Sequence, residues 1–347
     1  MRVVIAPDSF KGSISATDAA HAIAEGWRSI RPGDEILELP QADGGEGTLD
    51  AIATALPEAL TRRVENVTGP DGRHVDATWL LLPDGTAVVE LAQSSGIALM
   101  PQLDALTATT RGLGEVIAAA LDAGARALVI GLGSSASTDG GAGALEALGD
   151  RPAPPGGVTL LTDVTAPLLG PHGAAAVFGP QKGATPADVE TIEERMRVWA
   201  ARFPDADPAT PGAGAAGGTA FGFLAAWGAR IVPGAAEIAD LTGLTAALDG
   251  ADVLLTGEGR FDATSLTGKV VGHAFRAAQA AGVARVVAIA GQVATEPPVL
   301  GRTATTSRSL STLAGSTEAA LADPATWLRR AGAEAAAQLE AWDSRNS

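Results

Sequence analysis

The sequence contains no cysteine among its 347 residues. The chain therefore cannot form a disulfide, hold zinc through thiolates or use a thiol as a nucleophile. Long apolar runs are also lacking, since no uninterrupted stretch approaches the roughly 18 residues that a membrane helix needs. The amino terminus, MRVVIAPDSF, enters a short strand-like segment without the apolar core of a signal peptide. These absences predict a cytoplasmic protein.

Positive charge is scarce in this chain. It has 24 lysines and arginines against 40 aspartates and glutamates, which gives a net charge of -16. Nucleic acids and anionic membranes are bound through positively charged surfaces, so neither is expected as the main partner. A small anionic ligand remains compatible with this charge if local cations gather around it.

Only three of the basic residues are lysines, and each of them adjoins a glycine. They are Lys11, Lys182 and Lys269. Lysine is a compact charge on a mobile stem, and beside a flexible loop it suits a phosphate group that changes position. We interpret the three lysines as candidate phosphate ligands.

Several familiar site patterns are missing as well. The four histidines lie apart, on predicted helices or near turns, so no histidine metal cluster is expected. The GxSxG motif of serine hydrolases is absent, and neither GxxxxGK[ST] nor a GxGxxG after the first strand occurs. A serine hydrolase, a P-loop kinase and a Rossmann dehydrogenase are therefore disfavoured.

The length and the order of the predicted elements indicate two α/β domains. Residues 63–92 show strand-like periodicity with good turn signals, which predicts antiparallel strands, whereas βα alternation occurs before and after them. We place a domain boundary near residue 60 and predict that the outer segments form one doubly wound domain. Its five parallel strands are predicted at residues 3–6, 35–39, 251–256, 286–290 and 303–307.

Three acidic, glycine-rich loops follow predicted strands: ADGGEGT (residues 42–48), GLGSSASTDGGAG (131–143) and TGEGRFD (256–262). Open α/β sheets bind ligands at the carboxyl ends of their strands. A backbone with so little side chain can also approach an anion closely and surround it with amide groups. For a fourth glycine-rich stretch, PGAGAAGG (211–218), we favour close packing over phosphate binding.

The predicted strand exits combine carboxylates, lysines and loop amides, and phosphoryl transfer needs these groups. The residues therefore predict a kinase. GLGSSA is similar to the phosphate loop of the sugar and mevalonate kinase superfamily, but TDGGAG follows it here in place of a long helix. A two-domain solute-binding protein that closes on a small acid without catalysis is a further alternative.

Eight sequence blocks, in order and across nearly the whole chain, resemble the type I glycerate kinase family. They are APDSFKGS, PQADGGEGT, ELAQSSGI, GLGSSASTDGGAG, TDVTAPLLG, FGPQKGA, PGAGAAGG and TGEGRFDATSLTGK. The resemblance implies phosphorylation of D-glycerate with ATP and Mg²⁺, commonly at the 2-hydroxyl to give 2-phosphoglycerate. Formation of 3-phosphoglycerate, another small hydroxy acid as substrate, and the choice between monomer and homodimer stay open.

The resemblance also implies an α/β fold of two domains. A flavodoxin-like, doubly wound parallel sheet, in residues 1–60 and 245–347, is split by an inserted domain with a mixed sheet, in residues 61–244. The implied active site lies in the cleft between the domains.

Departures from the family pattern fall near the presumed phosphates. Ser134 stands where a glycine is usual, and Thr138 stands where an asparagine is usual. The usual DxQT appears as DATS, with Ala263 and Ser265, and Ala166 stands where asparagine before proline is usual. Each change removes an amide side chain or adds bulk, so substrate preference or rate could differ.

The candidate site residues follow from the strand exits and from the resemblance. The catalytic candidates are Asp43, Asp139, Lys11 and Asp262. Candidates for binding substrate and phosphate are Asp8, Ser9, Gly44, Gly45, Ser134, Ser135, Gly140, Gly141, Lys182, Glu258, Arg260 and Lys269. Candidates for holding a metal ion are Asp43, Glu46 and Asp163, and the choice of the general base among the carboxylates stays open.

Overall fold

We describe a computed structural model of the chain over residues 1–267, 269–298 and 301–346. Its strands, in chain order, are β1 (Arg2–Ile5), β2 (Glu35–Glu38), β3 (Leu60–Thr68), β4 (His74–Leu81), β5 (Thr86–Glu90), β6 (Ala127–Gly131), β7 (Val158–Leu161), β8 (Arg230–Val232), β9 (Val253–Phe261), β10 (Arg285–Val293) and β11 (Ala304–Ser309).

The helices, in chain order, are α1 (Ala16–Ile30), α2 (Thr48–Ala55), α3 (Ala92–Ser95), α4 (Arg111–Asp122), α5 (Ala142–Leu148), α6 (Ala174–Phe178), α7 (Pro186–Ala200), α8 (Thr219–Trp227), α9 (Gly234–Leu241), α10 (Leu244–Leu248), α11 (Val270–Ala281), α12 (Leu310–Ala314), α13 (Thr317–Ala322) and α14 (Pro324–Asn346). Short 3-10 turns occur at Ile97–Leu99, Pro180–Lys182 and Ala263–Leu266. None of the described helices combines the length and the apolar character that a membrane crossing requires.

The chain divides into two compact units, and the first comprises Met1–Ala42, Asp50–Leu56 and Ala235–Ser347. Its strands form one parallel sheet in the order β2-β1-β9-β10-β11. Renumbered within this unit, the order is 2-1-3-4-5, which is that of flavodoxin-like sheets. The predicted doubly wound parallel sheet of five strands is confirmed.

Local sequence explains why these elements form. Strand β1 is an apolar run whose Val3, Val4 and Ile5 are fully buried, as expected for a central parallel strand covered on both faces. Ser15 caps α1 by accepting a hydrogen bond from the Asp18 amide at 3.0 Å. The apolar face of α1 packs into the core that surrounds β1.

The second unit comprises Asp43–Leu49 and Pro57–Gly234. Its sheet has the order β3-β4-β5-β6-β7-β8, with antiparallel pairing from β3 to β5 and parallel pairing from β5 to β8. The predicted mixed sheet is confirmed. Strand β8 was not predicted, because its three residues are too few to show a period and none of them is fully buried.

Helix α7 begins at a strong capping signal and buries one apolar face. Thr185 and Asp188 form a reciprocal capping box, with Pro186 as the first residue of the helix. Farther along, Ile192 and Met196 are buried, and Trp199 packs edge-on against Phe203 with ring centroids 5.2 Å apart. The aromatic residues at this end of α7 therefore belong to the core of this unit.

The PGAGAAGG stretch packs closely, as favoured from the sequence. A Cβ atom on Gly214 would lie 2.2 Å from the Pro167 carbonyl oxygen, and one on Gly217 would lie 2.1 Å from the Ser137 carbonyl oxygen. Both distances are far below a van der Waals contact. These glycines allow the segment before α8 to lie against the backbone of its neighbours.

Candidate functional site

Two of the glycine-rich loops meet backbone to backbone in the second unit. The Gly133 amide donates to the Gly44 carbonyl oxygen at 3.0 Å, directly beyond the carboxyl end of β6. A Cβ on Gly131 would lie 2.5 Å from the Gly44 oxygen, and one on Gly133 would lie 2.3 Å from the Cα of Gly45. Only residues without a side chain allow this approach, so the glycines join residues 43–49 to the end of the sheet.

Glu90, at the carboxyl end of β5, binds the backbone of residues 43–49. Its side chain is 1% exposed, and its two carboxylate oxygens accept hydrogen bonds from the Gly47 amide at 3.2 Å and the Leu49 amide at 3.3 Å. Sequence reasoning missed this residue. The signal was a glutamate at the end of the apolar strand TAVVE, where a buried charge needs partners.

Asp43 and Asp163 both border Gly234. The Gly234 amide donates to Asp163 Oδ1 at 2.9 Å, and a Cβ on Gly234 would lie 1.9 Å from the Asp43 carbonyl oxygen. Asp43 is half-buried, and its Oδ1 accepts a hydrogen bond from the Gly45 amide at 3.1 Å. Two carboxylates predicted as metal ligands are thus brought together, whereas Glu46 is exposed.

The carboxylates beside Gly234 are few, but Mg²⁺ needs few protein ligands when it also binds phosphate. Within the described part of the chain, no group of three or more histidine, aspartate or glutamate side chains is placed to hold a metal ion. Mg²⁺ at phosphoryl-transfer sites usually takes one or two carboxylates and completes its shell with water and phosphate oxygens. Asp43 and Asp163 fit that smaller donor set.

Asp139 is occupied by the framework of the second unit. Its Oδ2 accepts hydrogen bonds from the amide and the hydroxyl of Thr110, each at 2.8 Å, and from the Gly143 amide at 3.2 Å. Its Oδ1 accepts from the Gly141 amide at 3.1 Å. Because Thr110 precedes α4 and Gly143 lies in the first turn of α5, the carboxylate ties two helix starts together, where negative charge is favoured.

The middle of the 131–143 loop is held like a strand. The Ile97 amide donates to the Ser134 carbonyl oxygen at 2.8 Å, and the Ala136 amide donates to the Ser95 carbonyl oxygen at 2.9 Å. Ser134, the first of the two anchored residues, has φ at +57°. This left-handed conformation favours glycine, which the resemblance gives as the usual residue at this position.

Lys182 lies inside the second unit, beneath the loop that contains Ser135 and Ser137. The residue is only 2% exposed. Its Nζ donates to Ser135 Oγ at 2.8 Å and to the Ser137 carbonyl oxygen at 2.6 Å. Burial lowers the pKa of Lys182 to about 7, and the Asp139 carboxylate acts in the opposite direction. The sequence predicted a phosphate ligand here, whereas the structure places the ammonium where it braces the loop.

In the first unit, candidate residues gather where the strand order reverses, between β1 and β9. The Asp8 amide donates to the Gly257 carbonyl oxygen at 2.8 Å, and the Ser9 amide donates to Asp8 Oδ1 at 2.6 Å. Lys11 follows on an exposed turn. Doubly wound sheets bind ligands at this switch point, so the structure brings these three predicted residues to the expected edge.

The exit from β9 carries Arg260 and Asp262. Arg260 Nη1 donates to Gln292 Oε1 at 3.0 Å, and Arg260 Nε donates to Asp262 Oδ2 at 3.4 Å. Asp262 Oδ1 accepts from the amide and hydroxyl of Thr264, and the hydrogen bond from this hydroxyl lowers the pKa of Asp262. Ser265 Oγ accepts from the Asp262 amide at 2.9 Å, so the DATS sequence closes its own turn.

The remaining candidates of the first unit differ in exposure. Glu258 is half-buried within β9, and Lys269 is exposed at the residue that precedes α11. An exposed lysine at this position can reach an anion that also faces the start of the helix.

Comparisons with known proteins identify the family of this chain. The chain matches the model of the family described as the glycerate kinase family over residues 3–157 and 156–340. It is 39% identical to a glycerate kinase of Bacillus subtilis over 84% of this chain and 85% of that protein. It is 38% identical to glycerate 2-kinase of Escherichia coli over 78% of this chain and 80% of that protein.

Two further similarities extend over almost the whole chain. An uncharacterised protein of Mycobacterium bovis is 43% identical over 98% of this chain and 92% of its own length. The crystal structure of a putative glycerate kinase 2 from Salmonella typhimurium superposes with a TM-score of 0.83 at 36% identity, covering 99% of each chain. The similarity therefore includes both compact units.

Ser134→Gly is expected to stabilise the protein. Removing Cβ relieves the left-handed strain, and after allowance for the greater freedom of glycine in the unfolded chain the free energy of unfolding should rise by roughly 0.5–1 kcal/mol. Urea denaturation would measure the change. The matched control, Ser135→Gly, should instead destabilise because it removes an acceptor of Lys182, and a destabilised Ser134→Gly would contradict the strain argument.

The pKa of Lys182 predicts a pH-dependent stability. Between about pH 7 and the ordinary lysine pKa of about 10.4, the unfolded chain binds a proton at this residue that the folded chain does not. Stability relative to Lys182→Met should therefore rise with pH across this window, by at most about 1.4 kcal/mol per unit. Urea titrations of both proteins between pH 6 and 9 would measure it, and a constant difference would contradict the burial of the ammonium.

Proposed function

The chain belongs to the glycerate kinase family, and on that premise we propose that it transfers the γ-phosphoryl group of ATP to the 2-hydroxyl of D-glycerate. The products are 2-phosphoglycerate and ADP. Family membership makes the protein a kinase. The name of the Escherichia coli relative, glycerate 2-kinase, supports the 2-hydroxyl as the acceptor.

The observation that carries the proposal is the junction of residues 43–49 with the 131–143 loop. It puts a half-buried carboxylate, Asp43, beside a small-residue loop at the end of a sheet. Loop amides of this kind suit phosphate oxygens, and a carboxylate beside them suits the orientation and deprotonation of an attacking hydroxyl.

We assign the role of general base to Asp43. Both oxygens of Asp139 accept hydrogen bonds from the framework, and Asp262 is turned toward its own loop by Thr264. Among the described residues, the Gly45 amide is the one donor to the Asp43 carboxylate, and it bonds one of the two oxygens. In the proposed step the 2-hydroxyl oxygen of glycerate bonds to the γ-phosphorus, the bond from that phosphorus to the leaving ADP oxygen breaks, and the hydroxyl proton moves to Asp43.

The cations of the first unit suit the anionic substrates. Arg260 is exposed, and its guanidinium is oriented by Gln292 at Nη1 and by Asp262 at Nε, which leaves Nη2 and the second hydrogen of Nη1 to receive a carboxylate. Lys11 and Lys269 are exposed and suit mobile phosphate groups. We propose the glycerate carboxylate as the ligand of Arg260 and the phosphates as ligands of the two lysines.

Mg²⁺ is the proposed metal, and Asp163 would be its protein carboxylate ligand, while Asp43, which borders the same Gly234, keeps the role of base. When bound, the ion neutralises charge on the phosphate oxygens. Within the chain, Asp163 is oriented by the Gly234 amide, which leaves its carboxylate fixed beside the Asp43 backbone. ATP as the phosphoryl donor suits a cytoplasmic reaction.

The test of this function is a coupled assay with ATP, Mg²⁺ and D-glycerate, followed by ³¹P and ¹H NMR of the product. We expect ADP formation that depends on glycerate and a phosphorus coupling to the C2 proton. Glycerate binding without turnover would overturn the kinase proposal, and coupling to the C3 protons would overturn the assignment of the 2-hydroxyl.

Asp43→Asn is expected to lower kcat by about 10²- to 10⁴-fold, the range for loss of a general base. The variant keeps the size of the side chain and the acceptor for the Gly45 amide, so its urea midpoint should match that of the wild type. Asp50→Asn, an exposed aspartate in the first turn of α2, is the matched control and should retain normal turnover. Near-normal kcat in Asp43→Asn would eliminate this base.

A further inference from the structure

A cavity of about 250 Å³ lies within the second unit, beside the carboxyl half of the 131–143 loop. Thr138 and Asp139 of that loop form one wall. Helix α7 forms another with Met196 and Trp199, and Leu106 contributes from the segment before α4. The roles assigned above to Asp43, Arg260 and the lysines do not use this cavity.

The cavity combines apolar walls with one planar cation at its rim. Leu106, Met196 and Trp199 present hydrocarbon, sulfur and indole surface. Arg195 is exposed, and its Nη1 donates to the Leu106 carbonyl oxygen at 2.8 Å, which fixes the guanidinium at the edge. Apolar and aromatic walls with a few placed polar groups are typical of sites for flat organic ligands.

We propose that this cavity binds the adenine base of the nucleotide. The inference rests on the proposed function and deepens it, because it names the part of ATP that the second unit recognises. The loop that forms one wall continues, through Gly133 and Ser135, into the segment proposed to bind phosphates. A base held at the carboxyl half of the loop would leave its phosphates to run along the amino half.

Size and polarity distinguish the base from the other reactants. At about 250 Å³ the cavity is smaller than the roughly 300–1,000 Å³ of pockets for drug-sized molecules, so it suits a single ring system rather than a whole nucleotide. Glycerate has three carbons, each carrying oxygen, and would gain little from contact with methionine and tryptophan. A planar heterocycle gains both dispersion contact and stacking beneath a guanidinium.

The loop wall favours adenine over guanine. Asp139 lines the cavity, and its Oδ1 accepts from one donor among the described residues, the Gly141 amide, so it keeps a lone pair for a ligand. The Thr138 hydroxyl already donates its proton to the Ala105 carbonyl oxygen at 2.5 Å, so it offers only acceptor lone pairs. The amino group at C6 of adenine can donate to such a wall, whereas guanine has a carbonyl oxygen at C6 and would face the wall with oxygen against oxygen. Thr138, where asparagine is usual in the family, therefore bears on nucleotide preference rather than on glycerate.

Calorimetric titration with adenosine tests the proposal without catalysis. Ala142 lines the cavity in the first turn of α5, so Ala142→Leu should fill it and weaken adenosine binding at least 10-fold. Ala147→Leu, on the same helix outside the cavity lining, is the control and should bind adenosine normally. Binding of tripolyphosphate, which has no base, should be equal in all three proteins. Equal adenosine affinity in Ala142→Leu and wild type would overturn the assignment.

A second pair of variants guards against misfolding of Ala142→Leu. Arg195→Ala removes the exposed rim cation and should weaken adenosine binding several-fold, whereas Arg197→Ala, exposed on the same helix, should not. Guanosine should bind at least 10-fold more weakly than adenosine to the wild type. Normal adenosine binding in Arg195→Ala, or equal binding of the two nucleosides, would count against the site.

These titrations separate the proposal from the proposed function. If adenosine binding is weakened by Ala142→Leu but the protein does not phosphorylate glycerate, the adenine site is supported and the proposed substrate is wrong. If the protein phosphorylates glycerate and Ala142→Leu leaves the KM for ATP unchanged, the proposed function is supported and the adenine site is wrong.

Discussion

The second unit depends on a contact that no side chain makes. Gly131 and Gly133 leave β6 so close to Gly44 and Gly45 that a Cβ on Gly131 or Gly133 would overlap the opposing backbone. The contact fixes where Asp43 lies, because its neighbour Gly44 is held by the Gly133 amide. Glu90 supports the same segment through two amides. The position of one carboxylate is thus set by backbone packing and one buried charge.

Charge inside the second unit is used mainly for positioning. Asp139 joins the starts of α4 and α5, and Lys182 holds the loop between them from within. Asp139 was predicted as a catalytic residue and Lys182 as a phosphate ligand, because a carboxylate or lysine beside glycines has the composition of a site. Whether such a group faces a ligand or the framework depends on residues far away in sequence. Thr110, for example, lies 29 residues before Asp139.

Fold and site differ in how much the sequence could predict. The five-stranded parallel sheet and the antiparallel strands after residue 60 were predictable, because strand and helix periods act locally. The mixed sheet was expected only from the family resemblance. Strand β8 was too short to show a period. The role of Glu90 was not predicted, since nothing near it in sequence indicates that its partners lie more than 40 residues earlier.

The second unit takes seven residues, Asp43–Leu49, from a part of the chain that otherwise belongs to the first. A gene fragment beginning at Pro57 would therefore encode the sheet but not the segment that seals its end. In that fragment Glu90 would lose the Gly47 and Leu49 amides and keep a buried charge with fewer donors. Residues 57–234 therefore do not form a complete unit alone. Recombination that moved them without Asp43–Leu49 would transfer an incomplete structure.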